Sequence, residues 1–138
     1  MAERDIVRGK KFMYTEDSVR KGIIGARKNL DGFRVMSNNP DENVRRTGLA
    51  GYKSYEATLN YVDQRSPKQM LVELKGLWEN ISSLEEQKVP DEKIEDMLLR
   101  DYGDVIYYYR NIFNKGWIES AMQALTTARM REYNNKTM

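Results

Sequence analysis

Apolar residues recur three and four positions apart through most of the chain, which is the spacing of one buried face of an α-helix. Val19, Ile23, Ala26 and Leu30 predict a first helix over 15–30, with Thr15 or Ser18 to cap it and Asp31-Gly32 to stop it. A polar loop through Ser37-Asn38-Asn39-Pro40 follows, with at most a short extended piece at 33–36. Val44, Leu49, Tyr52, Tyr55, Leu59 and Val62 then mark a second helix from Asp41 or Asn43 to about Gln64. Gly48 and Gly51 predict irregular or tightly packed turns near its start.

The next start signal is stronger. Ser66-Pro67-Lys68-Gln69 sets an N-cap serine, a proline at the first helical position and a glutamine three residues after the cap. Met70, Leu74, Leu77, Ile81 and Leu84 follow at heptad spacing, widened by Trp78. Val89-Pro90-Asp91-Glu92 opens a fourth helix, whose stripe of Ile94, Leu98, Tyr102, Val105, Tyr109 and Ile112 passes Gly103 without losing phase. That register predicts one long helix from 91 to about 114 rather than two bent at Gly103. Asn114-Lys115-Gly116 supplies the stop, and Ile118, Ala121, Met122, Leu125 and Ala128 outline a last helix to about Arg131.

No segment alternates apolar and polar residues with the period of a strand, and no repeat of 20 to 50 residues is present. The expected fold is therefore all-α: a compact bundle of five helices, or six if Gly103 breaks one. A length of 138 residues suits a single domain. Within it we expect a basic arm at 1–14, the bundle at 15–133 and a polar tail at 134–138.

Charge adds a second pattern. The formal net charge is only +2, but residues 1–34 carry +4, residues 66–104 carry −5 and residues 105–138 carry +3. Basic ends around an acidic middle suggest electrostatic complementarity within the fold or between copies. No apolar run approaches the ~20 residues that a membrane-spanning helix needs. The start Met1-Ala2-Glu3-Arg4-Asp5 has no apolar signal core, so the expected location is the cytoplasm or a virion assembled there.

The chain has neither cysteine nor histidine, which excludes disulfides, thiolate nucleophiles, Cys/His zinc sites and histidine-based relays. Lys28-Asn29-Leu30-Asp31-Gly32-Phe33-Arg34 resembles the lysine motif of nucleotidyltransferases such as ATP-dependent DNA ligases. Two residues rather than one separate its lysine from its aspartate, and a basic helix end is the preferred reading of the seven residues. Asp101 and Asp104 lie one helical turn apart and set out a third-ranked reading, a Mg²⁺-dependent enzyme. A solvated acidic face explains them more simply, and no phosphate-binding glycine loop accompanies them.

The leading expectation is a non-enzymatic protein without cofactor or metal, acting through a protein partner or self-association. Nine tyrosines and eight methionines exceed what five short helices need for a core. Tyr107, Tyr108, Trp78 and Trp117 are the expected partner-binding residues. Enrichment in Asn, Lys and Tyr resembles bacteriophage accessory and virion proteins, which implies a virion or connector subunit, or an inhibitor or adaptor on a host complex. The alternative is a small nucleic-acid-binding protein. For it, Arg4, Arg8, Lys10, Lys11, Arg20, Lys21, Arg27 and Lys28 are the phosphate or acidic-partner contacts, with Phe12 and Tyr14 between the two basic groups.

Overall fold

The computed structural model describes residues 5–113 and 116–137. It is all-α, with five helices and no strand among the described residues: α1 (Glu16–Met36), α2 (Glu42–Asp63), α3 (Pro67–Glu86), α4 (Asp91–Ile112) and α5 (Trp117–Thr137). Among the described residues no helix is long and apolar enough to cross a membrane. Arg4, and the stop residues Asn114 and Lys115, lie outside the described residues.

The helix starts follow the capping chemistry of the sequence. Thr15 and Ser18 exchange side-chain and backbone hydrogen bonds in a capping box at α1. Ser66 and Gln69 do the same at α3, the Gln69 backbone N–H donating to Ser66 Oγ at 3.1 Å and the Ser66 N–H to Gln69 Oε1 at 2.8 Å. Asp41 caps α2 by accepting from the backbone of Asn43 and Val44.

The helices group into two compact units. A hairpin unit, Tyr14–Leu71, holds α1, α2 and the first turn of α3. Its two long helices run antiparallel: Arg27 meets Asp63 at 2.8 Å, and toward the connecting turn Phe33 packs its ring on Tyr55, with centroids 5.5 Å apart. These contacts correct one expectation. Asp31-Gly32 does not end α1, which continues six residues beyond Leu30 to Met36. Phe33 lies against Gly51, and Arg34 lies 5.7 Å from the Tyr52 ring centroid, so continuing the helix buys tertiary contacts that outweigh a local stop signal. Gly48 is tightly packed, as its position suggested: a side chain there would run into the backbone at Met36 and Ser37.

The strap unit combines residues 1–13 with 72–138. Glu73 bonds Tyr109 and Asn80 bonds Tyr102, so α3 and α4 run antiparallel; Arg110 pairs with Glu119 and Glu95 with Arg131, which sets α5 antiparallel to α4. Leu74, Leu77, Ile81, Leu98, Ile106, Ile118 and Leu125 are almost fully buried, as the stripes on α3 and α5 require. α5 extends to Thr137, so residues 134–137, expected to form a loose tail, complete its last turns.

α4 covers the expected residues but is bent beside Gly103 rather than continuous. Tyr102 leaves helical geometry at φ −134° and ψ 16°, kinking the helix one residue before Gly103. Ahead of the kink Ile94 and Leu98 are buried; beyond it Ile106 and Tyr109 are, while Val105 is only half-buried. Tyr109 is buried as the stripe required, while the inner position expected for Val105 is taken by its neighbour Ile106.

Candidate functional site

Beside the last residue of the α3 stripe, Leu84, the helix buries a charged one. Four positions after Ile81, on the same side of the helix, stands Glu85, only 6% exposed. A buried carboxylate requires donors, and the N-terminal segment provides them. The backbone N–H groups of Ile6, Val7 and Arg8 all donate to Glu85, at 2.7, 3.0 and 3.0 Å. Ile6 and Val7 bury their side chains, at 2% and 1% exposure, and Gly9 at φ 76° turns the chain, closed by a bond from Lys10 N–H to the Val7 carbonyl. Phe12 then meets Trp78 edge-on with centroids 6.0 Å apart, and Trp117 at 6.5 Å. Residues 5–13 thus form a strap, fastened through its main chain at one end and its aromatic ring at the other.

This arrangement sorts the expected partner-binding residues. Trp117 is buried and Trp78 half-buried, and both are engaged by Phe12 of the strap; the Trp78 indole N–H is enclosed with no acceptor. Tyr107 and Tyr108 are half-buried and adjacent, their rings edge-to-face at 6.0 Å and 70°. They stand on a fixed support. The next residue, Tyr109, is fully buried and donates its hydroxyl to Glu73 Oε1 at 2.7 Å, while Arg110 pairs with Glu119 at 3.1 Å.

The basic residues divide between the units. Arg8, Lys10 and Lys11 are exposed on the strap, and Lys10 Nζ donates to Ser120 Oγ at 3.2 Å. In the hairpin unit Arg20 pairs with Glu16 at 3.8 Å, Lys21 with Asp17 at 3.1 Å and Arg27 with Asp63 at 2.8 Å, so acidic neighbours offset most of the positive charge of α1. Lys28 is exposed, and the whole segment 28–34 that resembles a nucleotidyltransferase motif is helical.

Asp101 is paired with Arg100 at 3.1 Å, and that contact raises the arginine pKa. No group of three or more metal-ligating side chains occurs among the described residues. The strongest ionic cluster is one the sequence reading missed: Arg131 reaches Asp96 at 2.7 Å, Glu95 at 2.9 Å and Glu92 at 3.8 Å, tying the end of α5 to the first turns of α4. The hydrogen bonds that Arg131 donates to Asp96 and Glu95 hold its pKa above the ordinary arginine value. The signal for it was the i, i+3, i+4 set of acids at 92, 95 and 96, all within reach of one side chain on a neighbouring helix. For Glu85 the signal was its place four residues after Ile81, beside the heptad stripe that ends at Leu84. Burial pushes the Tyr14 hydroxyl up to about 12.

Comparison with protein-family models, curated proteins and solved structures finds no match.

Proposed function

We propose that this protein is a non-enzymatic docking protein that contacts a protein partner through Tyr107 and Tyr108 on α4, as a subunit of a larger assembly or as an inhibitor or adaptor. The supporting observation is the half-buried tyrosine pair beside a locked Tyr109. Two aromatic rings on a rigid helix offer large amphipathic contact area and lose little conformational freedom on binding. The setting in which such a protein works is the cytoplasm or a particle assembled there.

Affinity purification from the native host, comparing the wild type with a Tyr107→Ala/Tyr108→Ala variant, tests this reading. The expected result is a defined protein retained by the wild type and lost by the double variant, with an unchanged thermal midpoint. Tyr133→Ala, which alters an exposed tyrosine on α5, should retain it. Equal recovery by all three proteins would overturn the ridge.

The second reading, nucleic-acid binding, draws on the exposed Arg8, Lys10 and Lys11 of the strap. Binding to DNA or RNA that weakens steeply with salt, and is lost when these three are neutralised, would favour it over the protein-docking reading.

A further inference from the structure

We infer that a cleft between α3 and α4, beside the kink at Tyr102, binds a primary alkylammonium group. The proposal goes beyond the tyrosine ridge and does not depend on it. It rests on the lining of the cleft, on the acceptors left open there and on the charge of this stretch of chain.

The cleft lies within the strap unit, where α3 and α4 run antiparallel with Asn80 opposite Tyr102. At the residue where α4 leaves helical geometry, a space of about 200 Å³ is lined by Asn80, Ser83, Leu84, Met97, Asp101 and Tyr102. That is smaller than the roughly 300–1,000 Å³ of sites for drug-sized molecules, and it suits a chain of about five heavy atoms. The lining sorts by polarity. Leu84, Met97 and Tyr102 are half-buried while Asn80, Ser83 and Asp101 are exposed, so an apolar floor is edged by oxygen-bearing side chains.

That edge favours a positively charged donor. Asn80 donates its amide to the Tyr102 hydroxyl, which leaves its own carbonyl oxygen as an acceptor. Ser83 Oγ accepts from Gln87 at 2.9 Å and retains a second lone pair. Asp101 accepts from Arg100 Nε and Nη2 at 3.1 and 3.3 Å, one bond on each oxygen, so each oxygen keeps a further acceptor position. The pair joins sequence neighbours at the surface, with side chains 72% and 46% exposed; such a pair is weak in water and leaves the carboxylate open to a second cation. Asp101 carries the one formal charge among the six lining residues, and residues 66–104, which supply them all, carry −5.

A hard metal ion would leave the apolar floor unused. An alkylammonium lays its carbon chain on Leu84 and Met97 and presents three N–H donors to Asn80, Ser83 and Asp101. Its source is a free amine or the lysine side chain of another protein, which share the same four carbons and nitrogen.

Nuclear magnetic resonance of methyl-labelled methionine reads binding directly. Met97 is one of eight methionines, and Met97→Leu identifies its signal by loss. Titration with n-butylammonium is expected to shift that signal with a Kd of order mM, whereas n-butanol and butyrate bind at least about tenfold more weakly. Asp101→Asn should weaken n-butylammonium binding about tenfold, because a charge-assisted bond becomes a neutral one. Arg100→Ala should tighten it about threefold by removing the competing cation. Both side chains are exposed, and unchanged signals from the other methionines show an intact fold in each variant. N-acetyl-lysine methylamide separates the sources: binding like that of n-butylammonium assigns the cleft to a lysine of a partner, and failure beside a positive n-butylammonium result assigns it to a free amine. No shift with n-butylammonium, an equal shift with n-butanol, or a Kd indifferent to Asp101→Asn or to Arg100→Ala would overturn the assignment.

Discussion

Each unit contains a pair of long antiparallel helices of 21 and 22 residues, and the two pairs are held by opposite means. In the hairpin unit the join depends on atoms that are missing: the backbone at Met36 and Ser37 closes onto Gly48, and the Phe33 ring lies on Gly51. Its outer faces remain partly apolar, with Ile24 at 55%, Val35 at 74% and Leu49 at 46% exposure, and its ion pairs lie at the surface, where each contributes under about 1 kcal/mol. In the strap unit the joins depend on groups that are present. Glu85 holds the strap, Glu95 and its neighbours hold Arg131, and Glu73 holds Tyr109. The hairpin is specified by close fit, and the strap unit adds polar anchors to an apolar core that includes Leu98, Ile106, Ile118 and Leu125, so the first should be sensitive to added atoms and the second also to removed polar groups.

Gly48→Ala gives that comparison its hardest test. The new methyl group meets main-chain atoms at Met36 and Ser37, which cannot rotate aside, and the expected loss is about 1–3 kcal/mol. Gly32→Ala adds the same methyl group where nothing lies within 4 Å, and helix propensity should then stabilise by up to about 1 kcal/mol. Urea denaturation followed by far-ultraviolet circular dichroism measures both. Similar values for the two variants would mean that close approach does not hold the hairpin, and the contrast between the units would disappear.

These two glycines also show how far the sequence could be read. Glycine inside a periodic helix signals either irregularity or close approach, and the spacing of Gly48 and Gly51 around Leu49 left both open and did not name what approaches. That identity belongs to a neighbouring helix. The same limit explains the end of α1, where Asp31-Gly32 is a genuine local stop signal overridden by Phe33 and Arg34 packing on α2. Element number, the capping boxes and the buried stripes of α3 and α5 were legible because each depends on residues within one or two turns. The strap was not legible, because Ile6, Val7 and Phe12 are anchored by residues more than sixty positions away. Trp78 and Trp117 were chosen as partner contacts for their size, and the structure gives them an intrachain ring to pack against. Period alone cannot show the kink at Tyr102, because it is expressed in backbone angles.

Removing one polar anchor probes the other side of the comparison at a smaller scale. Tyr109→Phe keeps the buried ring and deletes only the hydroxyl that donates to Glu73 at 2.7 Å, so the expected cost is about 1 kcal/mol. Tyr52→Phe in the hairpin unit leaves the ring beneath Arg34 in place and should cost under about 0.5 kcal/mol. Tryptophan fluorescence reports the first transition, since both tryptophans lie in the strap unit, and circular dichroism reports the second. Equal costs would show that Tyr109 is held by packing alone, and the support proposed for Tyr107 and Tyr108 would lose its polar anchor.

The last effect is confined to alkaline solution. Among the described residues the buried carboxylates, Glu85 and Glu95, both lie in the strap unit. In the hairpin unit the shifted group is Tyr14, whose hydroxyl burial raises from 10.0 to about 12. A raised folded-state value means that the neutral hydroxyl is favoured in the native protein. Below pH 10 it is neutral in both states and its contribution to stability is complete. As pH rises past 10 the unfolded chain releases the proton while the native protein retains it, so stability declines until the native group also ionises near 12. Tyr14→Phe removes this slope. The difference in stability between wild type and variant should therefore be constant up to about pH 9 and shift in favour of the variant between 10 and 12, as measured by urea titrations at stepped pH. The other tyrosines are common to both proteins and cancel to first order in the difference. A constant difference throughout would mean that Tyr14 ionises alike in both states, and the hairpin unit would then have no alkaline response of its own to set against the strap unit.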